Sequence, residues 1–314
     1  MSQQRAARNK FTLVTFVVAI GLLAWGAFVT SINAGMAVPD WPTSFNSYDP
    51  FNPWPNWWTV TPVLAEHGHR LLGALVGFLT LSLAIWTWFA ESRSWMKKVG
   101  IGALVLVILQ GVLGGLRVMW VSLDLAVVHA SVAQLFFALL ASMIVFTSRS
   151  WLQEPTSPNE YFPFSDVKRL SILAPVLVFI QIFLGALLRH PGTGIDPLFV
   201  GLHLGWAFVA TSLLVVFWSR LRTVPDYARR VRFLSSVMLG VLIVQVSLGL
   251  FAYLVLLDES GLVKASNVQV ISNTGHMVVG ALLFASTVAT SVLCRRYQFL
   301  ENQMEPIPVD PIAT

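Results

Sequence analysis

Eight separate apolar stretches run through the chain, at about 12–33, 63–90, 99–120, 125–147, 171–189, 198–219, 233–257 and 268–293. Most reach the ~20 residues a helix needs to cross the hydrocarbon core of a bilayer. A segment in that core must satisfy its own backbone hydrogen bonds, so each stretch is predicted to be a helix. The fold class expected is all-α integral membrane, with eight transmembrane helices. Charged residues make up only 11% of the chain, against roughly a quarter in a soluble domain. The first apolar run follows Arg5, Arg8 and Lys10 and is longer than the ~7–15 residues of a signal-peptide core, so it reads as a retained helix. The lack of an amphipathic, Arg- and Ser-rich transit segment before it points to a bacterial membrane rather than an organelle.

The basic residues give an orientation. Arg5, Arg8 and Lys10 precede helix one, alternate loops carry the next groups, and Arg295 and Arg296 follow helix eight. In all, 16 of the 20 Lys and Arg fall on one side, which predicts that both termini are cytoplasmic. The net charge of +5 is then a topology signal and argues against a nucleic-acid partner. Arg70, Arg117, Arg189 and Lys264 fall on the opposite side.

Four histidines, His69, His129, His203 and His276, each lie near the start of an even-numbered helix. Even helices run the same way, so the four imidazoles share a depth near one face. Histidine within a membrane is expensive and marks function by default. Two pairs at matched depth are the pattern of axial ligands to haem iron. Arg70, Arg117 and Arg189 lie at the same level, where guanidinium groups suit carboxylates such as haem propionates. Snorkelling of a long side chain explains such arginines equally well.

The chain also repeats itself. Gly26-Ala27 near the end of helix one answers Gly185-Ala186 in helix five, and Gln110 to Gly114 in helix three answers Gln245 to Gly249 in helix seven. His69 and His203 are 134 residues apart, Gln110 and Gln245 135. Two pseudo-symmetric four-helix bundles are expected: an amino-terminal half over 1–150, a linker over 151–165, and a carboxy-terminal half with a short tail over 166–314. With an even number of helices in each, the repeats are parallel. Gly111, Gly114, Gly115, Gly185 and Gly249 read first as small residues that let helices pack closely, although a flat macrocycle needs the same clearance.

The symmetry breaks at one place. Helix two opens Glu66-His67-Gly68-His69-Arg70, with Glu66 and His69 on one face a turn apart, while Phe199-Val200-Gly201-Leu202 precedes His203. One half has a carboxylate that the other lacks. Ahead of helix two stands a long loop, about 34–62, with Gly35-Met36-Ala37-Val38-Pro39-Asp40-Trp41-Pro42 and several tryptophans, expected as a lid over the first half's pocket. His67 and His190 read as polar residues at loop level.

Glu-x-x-His-Arg in helix two, the Gly-Met-Ala-Val-Pro-Asp-Trp-Pro loop, the duplicated halves and the four histidines together resemble the haem A synthase family, over about 12–293. The resemblance implies conversion of haem O to haem A, by successive hydroxylation of a ring methyl group to a formyl group. It implies that the residues matching His69 and His129 hold the substrate haem, that those matching His203 and His276 hold haem b, and that Glu66 is the catalytic acidic residue. Arg70, Arg117 and Arg189 are then the propionate candidates. The partners expected are haem O, the enzyme that makes it, membrane lipid and further copies of the chain, in the inner membrane of a bacterial cell.

Two departures stand out. Many relatives carry cysteine pairs in the loops, whereas Val38 stands before Pro-Asp-Trp-Pro here and Cys294 is the sole cysteine. Many relatives also have arginine at the end of helix one, where this chain has Thr30. Two rival classes share the histidines: a di-haem electron carrier or quinol oxidoreductase, and a solute carrier with a histidine proton path.

Overall fold

A computed structural model of the protein describes residues 3–51, 53–152, 164–189, 196–258 and 266–301. Its long helices are α1 (Gln3–Ser31), α2 (Thr61–Ala90), α3 (Ser94–Met119), α4 (Leu123–Thr147), α5 (Lys168–Arg189), α6 (Pro197–Leu221), α7 (Arg229–Asp258) and α8 (Asn267–Glu301). All eight are long and apolar enough to cross a membrane, and the described residues contain no named strand. The all-α integral membrane class expected from the sequence is the class observed. Lys264, His190 and most of the expected linker lie outside the described residues.

Local chemistry sets the helix starts. Ser122 caps α4 by accepting from Leu125 N at 3.2 Å, and Asp196 caps α6 by accepting from Leu198 N at 2.8 Å. Each satisfies an amide that the first helical turn leaves without a partner. Pro62 and Pro197 sit in the first turn of α2 and α6, where a missing N–H loses nothing.

Helix α1 packs on α2, α2 on α3, α3 on α4, and α1 on α4; α5, α6, α7 and α8 make the same set of contacts in order. Helices α4 and α8 run through the centre. In each, 61% of the most apolar stretch is buried, against at most 28% in any other helix. They pack on one another, α8 also reaches α1, and α4 also reaches α5. Ala281 and Ala285 of α8 accordingly join a core built by α1 to α4, while Ala138 and Val145 of α4 join the core of α5 to α8. The outer faces expose Phe78, Ile85, Ile108, Phe208 and Ile243, an apolar surface suited to lipid.

At the basic end the first two helices are pinned by charge. Arg8 of α1 and Arg93, just before α3, both pair with Glu91 at the end of α2, and the Glu91 side chain is wholly buried. Arg93 places Nε 3.1 Å and Nη2 2.9 Å from that carboxylate and donates Nη1 to Phe146 O at 3.1 Å, which ties α4 to the same cluster. Burial alone would push the Glu91 carboxyl up; the donors and charge of Arg93, with Arg8, outweigh it and hold Glu91 at about 2.

Candidate functional site

Each of the four histidines is seated against a glycine of the neighbouring odd-numbered helix. A Cβ built at Gly26 would lie 2.9 Å from His69 Cε1, at Gly114 3.2 Å from His129 Cε1, at Gly185 3.1 Å from His203 Cε1, and at Gly249 2.7 Å from His276 Cε1. These imidazoles lie close against helix backbone, most tightly at Gly26 and Gly249, where a Cβ would force the ring to shift. Sequence reasoning read Gly114, Gly185 and Gly249 as sites of helix contact; the contact each makes is with a histidine ring. Gly111 meets nothing within 4 Å, and Gly115 seats the ring of Trp41 instead.

The second-half rings face each other. His203 and His276 have centroids 6.4 Å apart and planes crossed at 73°. A ring nitrogen lies about 1 Å from its centroid and a metal–imidazole bond is about 2 Å, so 6.4 Å is the spacing of two rings that share one metal ion. The donor set fits a bis-histidine haem iron. Nδ1 of His69 and of His276 is buried with no hydrogen-bond partner among the described residues. Among the described residues no group of three or more His, Cys, Asp and Glu could hold a metal ion.

Three glutamines, which the sequence reading had not assigned to the site, lie one turn before three of the seating glycines: Gln110, Gln181 and Gln245. Gln181 Nε2 stands 3.2 Å from His203 Nδ1 and 3.1 Å from His203 Nε2, and donates to His203 O at 3.1 Å. Gln245 Nε2 lies 3.3 Å from His276 Nε2. The recurring Gln-x-x-x-Gly was the signal in the sequence that could have found them.

Glu66 and its neighbours organise the tryptophan-rich loop. The Glu66 side chain is buried; Oε2 accepts from Val38 N at 2.9 Å and Oε1 from Arg70 Nη2 at 3.1 Å. Arg70 also donates to the carbonyls of Asp40 (2.7 Å), Thr43 (2.9 Å) and Val38 (3.0 Å). Its guanidinium is thus engaged with main chain of the loop and with Glu66. His67 is buried between the loop and α2, with Nδ1 3.1 Å from Ser44 Oγ and Nε2 2.9 Å from Pro50 O. Within the loop, burial pushes the Asp40 carboxyl up, but donors from Thr43, Asn46 and Phe45 outweigh it and hold Asp40 below the usual carboxylate range. Trp41 lies on α3, where a Cβ at Gly115 would come within 2.2 Å of its ring. Together these contacts fix the loop across the ends of α2 and α3, next to the helix that carries His69.

The remaining arginines bond to the loop and to α1. Arg117 donates to Gly35 O at 3.2 Å, again on the loop. Arg189 of α5 reaches α1, donating to Ser31 Oγ at 2.8 Å and Ala27 O at 3.3 Å; Ser31 Oγ is in turn 3.2 Å from Thr274 Oγ1 of α8. Thr30 turns its hydroxyl back to Gly26 O at 3.1 Å, so the guanidinium at the end of α1 comes from α5.

A family model described as cytochrome oxidase assembly protein matches residues 58–196, a stretch that holds Glu66, His69, Arg70, Arg117, His129 and Arg189. Among curated proteins, one named Heme A synthase from Lysinibacillus sphaericus is 28% identical over 187 residues, 57% of each chain. The protein of that name from Symbiobacterium thermophilum is 28% identical over 251 residues, 71% of this chain and 79% of that protein. One from Methylorubrum populi is 30% identical over 205 residues, 64% of this chain and 48% of that protein. The chain spans 57% to 59% of the length of several of these relatives. The chain is similar to curated haem A synthases, the family that its motifs resemble.

Proposed function

We propose that the chain oxidises haem O to haem A: one ring methyl group is hydroxylated twice and the geminal diol loses water to leave a formyl group, a four-electron oxidation of that carbon. The observation that carries this reading is the set of four alike histidine seats, with a buried carboxylate, Glu66, one turn before His69 and no counterpart before His203. In this reading the 1–150 half holds the substrate between His69 and His129. The 166–314 half holds a b-type haem between His203 and His276, joined through the 151–165 linker. A b-type haem held there supplies reversible one-electron transfer.

Glu66 acts on protons in the first half. Each of its oxygens accepts one hydrogen bond, from Val38 N or Arg70, and keeps a lone pair free to take a proton released as the methyl carbon is oxidised. Arg70 holds the carboxylate in place, and the loop it anchors shields the reacting edge from bulk water. Arg117 and Arg189 are the propionate partners in this reading, as guanidinium groups suited to carboxylates. The chain sits in a bacterial inner membrane with both termini cytoplasmic and the tryptophan-rich loop outside. It takes haem O from the enzyme that produces it and works in lipid, alone or as a homo-oligomer.

Mass analysis of haem extracted from the purified protein tests the reading. Hydroxylated and formylated haem beside haem b is the expected result. Haem b alone would convert the assignment to a di-haem electron carrier, and a protein free of haem would end both.

A further inference from the structure

The Gln-x-x-x-Gly pattern occurs in α3, α5 and α7, and fails in α1. There Leu22 stands one turn before Gly26, in the place that Gln181 holds before Gly185. The histidine seated at Gly26 is His69. A nitrogen nearly equidistant from both ring nitrogens, as Gln181 Nε2 is from those of His203, cannot lie along either in-plane lone pair. It lies across the ring, and its bond to His203 O fixes it there. Gln245 is wedged in its own way: a Cβ at Gly280, one turn beyond His276, would come within 3.0 Å of its amide nitrogen, so α8 backbone presses the amide towards the His276 ring.

Resting on the reading that the second half holds a bis-histidine iron, we propose that Gln181 and Gln245 are positioning residues that lock the rotation of His203 and His276. The same proposal has Leu22 leave His69 free to turn. Gly185 and Gly249 set where each ring sits; the amides set its angle, and so the steep 73° crossing of the two planes. A locked pair suits a resident electron-transfer iron, whose ligands keep one arrangement in both oxidation states. Leucine has no N–H to donate, so at this place in α1 the glutamine amide has no counterpart. A ligand held by shape alone suits a haem that must enter and leave.

Electron paramagnetic resonance of the ferric, haem-loaded protein reads the ring angle, because steeply crossed imidazole planes give a strongly anisotropic low-spin signal and aligned planes a rhombic one. The wild-type protein should show the anisotropic signal from its second-half iron. Gln181→Met and Gln245→Met keep length and volume but lose the N–H, and each should move the largest g-value downward at unchanged haem content. Leu22→Gln should slow loss of first-half haem to a scavenger such as apomyoglobin several-fold. Full haem content with wild-type g-values in both Met variants overturns the proposal and leaves the functional reading intact. Met variants that neither retain haem nor take up added haemin also overturn it, since the amides would then be needed for binding rather than rotation. A wild-type protein with no haem removes the functional reading and the proposal together.

Discussion

A side-chain carbon at Gly249 would fall 2.7 Å from Cε1 of His276, nearer than real Cβ atoms approach, and the ring has helix backbone on one side and His203 on the other. Gly249→Val should therefore displace the imidazole and lower bound haem b at least ~10-fold, the loss that accompanies about 1.4 kcal/mol of binding. Gly111→Ala, on a helix position with nothing within 4 Å, is the matched control and should bind haem normally. Equal haem content in the two purified variants would remove the glycine seat from the account.

The two histidine pairs should separate by their haem. His203→Ala or His276→Ala should deplete the stably bound haem b, while His69→Ala or His129→Ala should chiefly impair binding and conversion of haem O. Pyridine haemochrome content and product analysis on the four proteins give the comparison. Four equal losses of haem b, with product yield falling in proportion, would contradict the division between halves.

Glu66→Gln keeps an oxygen for Val38 N and removes the titratable group. Conversion should fall by ~10²-fold or more, the scale of lost general acid–base catalysis, with haem O or a hydroxylated intermediate retained. Arg70→Met gives the opposite test, because it frees the loop carbonyls while Glu66 stays intact. Protease sensitivity of the 34–60 region should rise in Arg70→Met and stay low in Glu66→Gln. A wild-type product profile from well-folded Glu66→Gln protein would leave Glu66 as a loop anchor only.

Glu91 predicts a pH dependence of stability rather than of chemistry. Its carboxyl is held at about 2, below its ordinary 4.5. The stability it supplies is therefore complete above about 4.5 and is lost as pH falls towards 2. Glu91→Gln leaves Arg8 buried without its counter-charge, and breaking a buried pair from one side typically costs about 3–5 kcal/mol. Thermal unfolding in detergent should show a lower midpoint for Glu91→Gln at pH 7 and a flatter response between pH 4.5 and pH 2. A variant as stable as wild type at pH 7 would deny the cluster its role.

Reporter fusions check the orientation. Fusion at residue 160 should report a cytoplasmic position and fusion at residue 50 a periplasmic one. The reverse pattern would overturn the assignment.

The eight helices were legible because membrane-crossing length is a property of composition over ~20 residues, and no neighbour is needed to read it. The histidines were legible for the same reason, since an imidazole in an apolar run is conspicuous by itself. What lay hidden depends on register between helices. Gly26 and His69 are 43 positions apart, and only the packing of α1 on α2 brings the ring over the glycine. Arg8 read as a topology signal, and nothing local announces that it and Arg93 converge on Glu91. Gln181 and Gln245 were visible as letters, but their tie to the histidine rings needs three dimensions. Arg70 shows the converse limit: its charge and level suit a propionate, while its geometry commits it to loop carbonyls.

The loop is gripped by its main chain. Arg70 takes the carbonyl oxygens of Val38, Asp40 and Thr43, and Glu66 takes the amide of Val38, so neither contact inspects a side chain at position 38. Cysteine and valine are equivalent to such a grip. Valine at position 38 therefore leaves the loop's fastening in place, and that fastening is indifferent to the oxidant or reductant around it. Where a covalent tether would have to be made, checked and remade, this chain carries an anchor of hydrogen bonds from α2 to loop main chain.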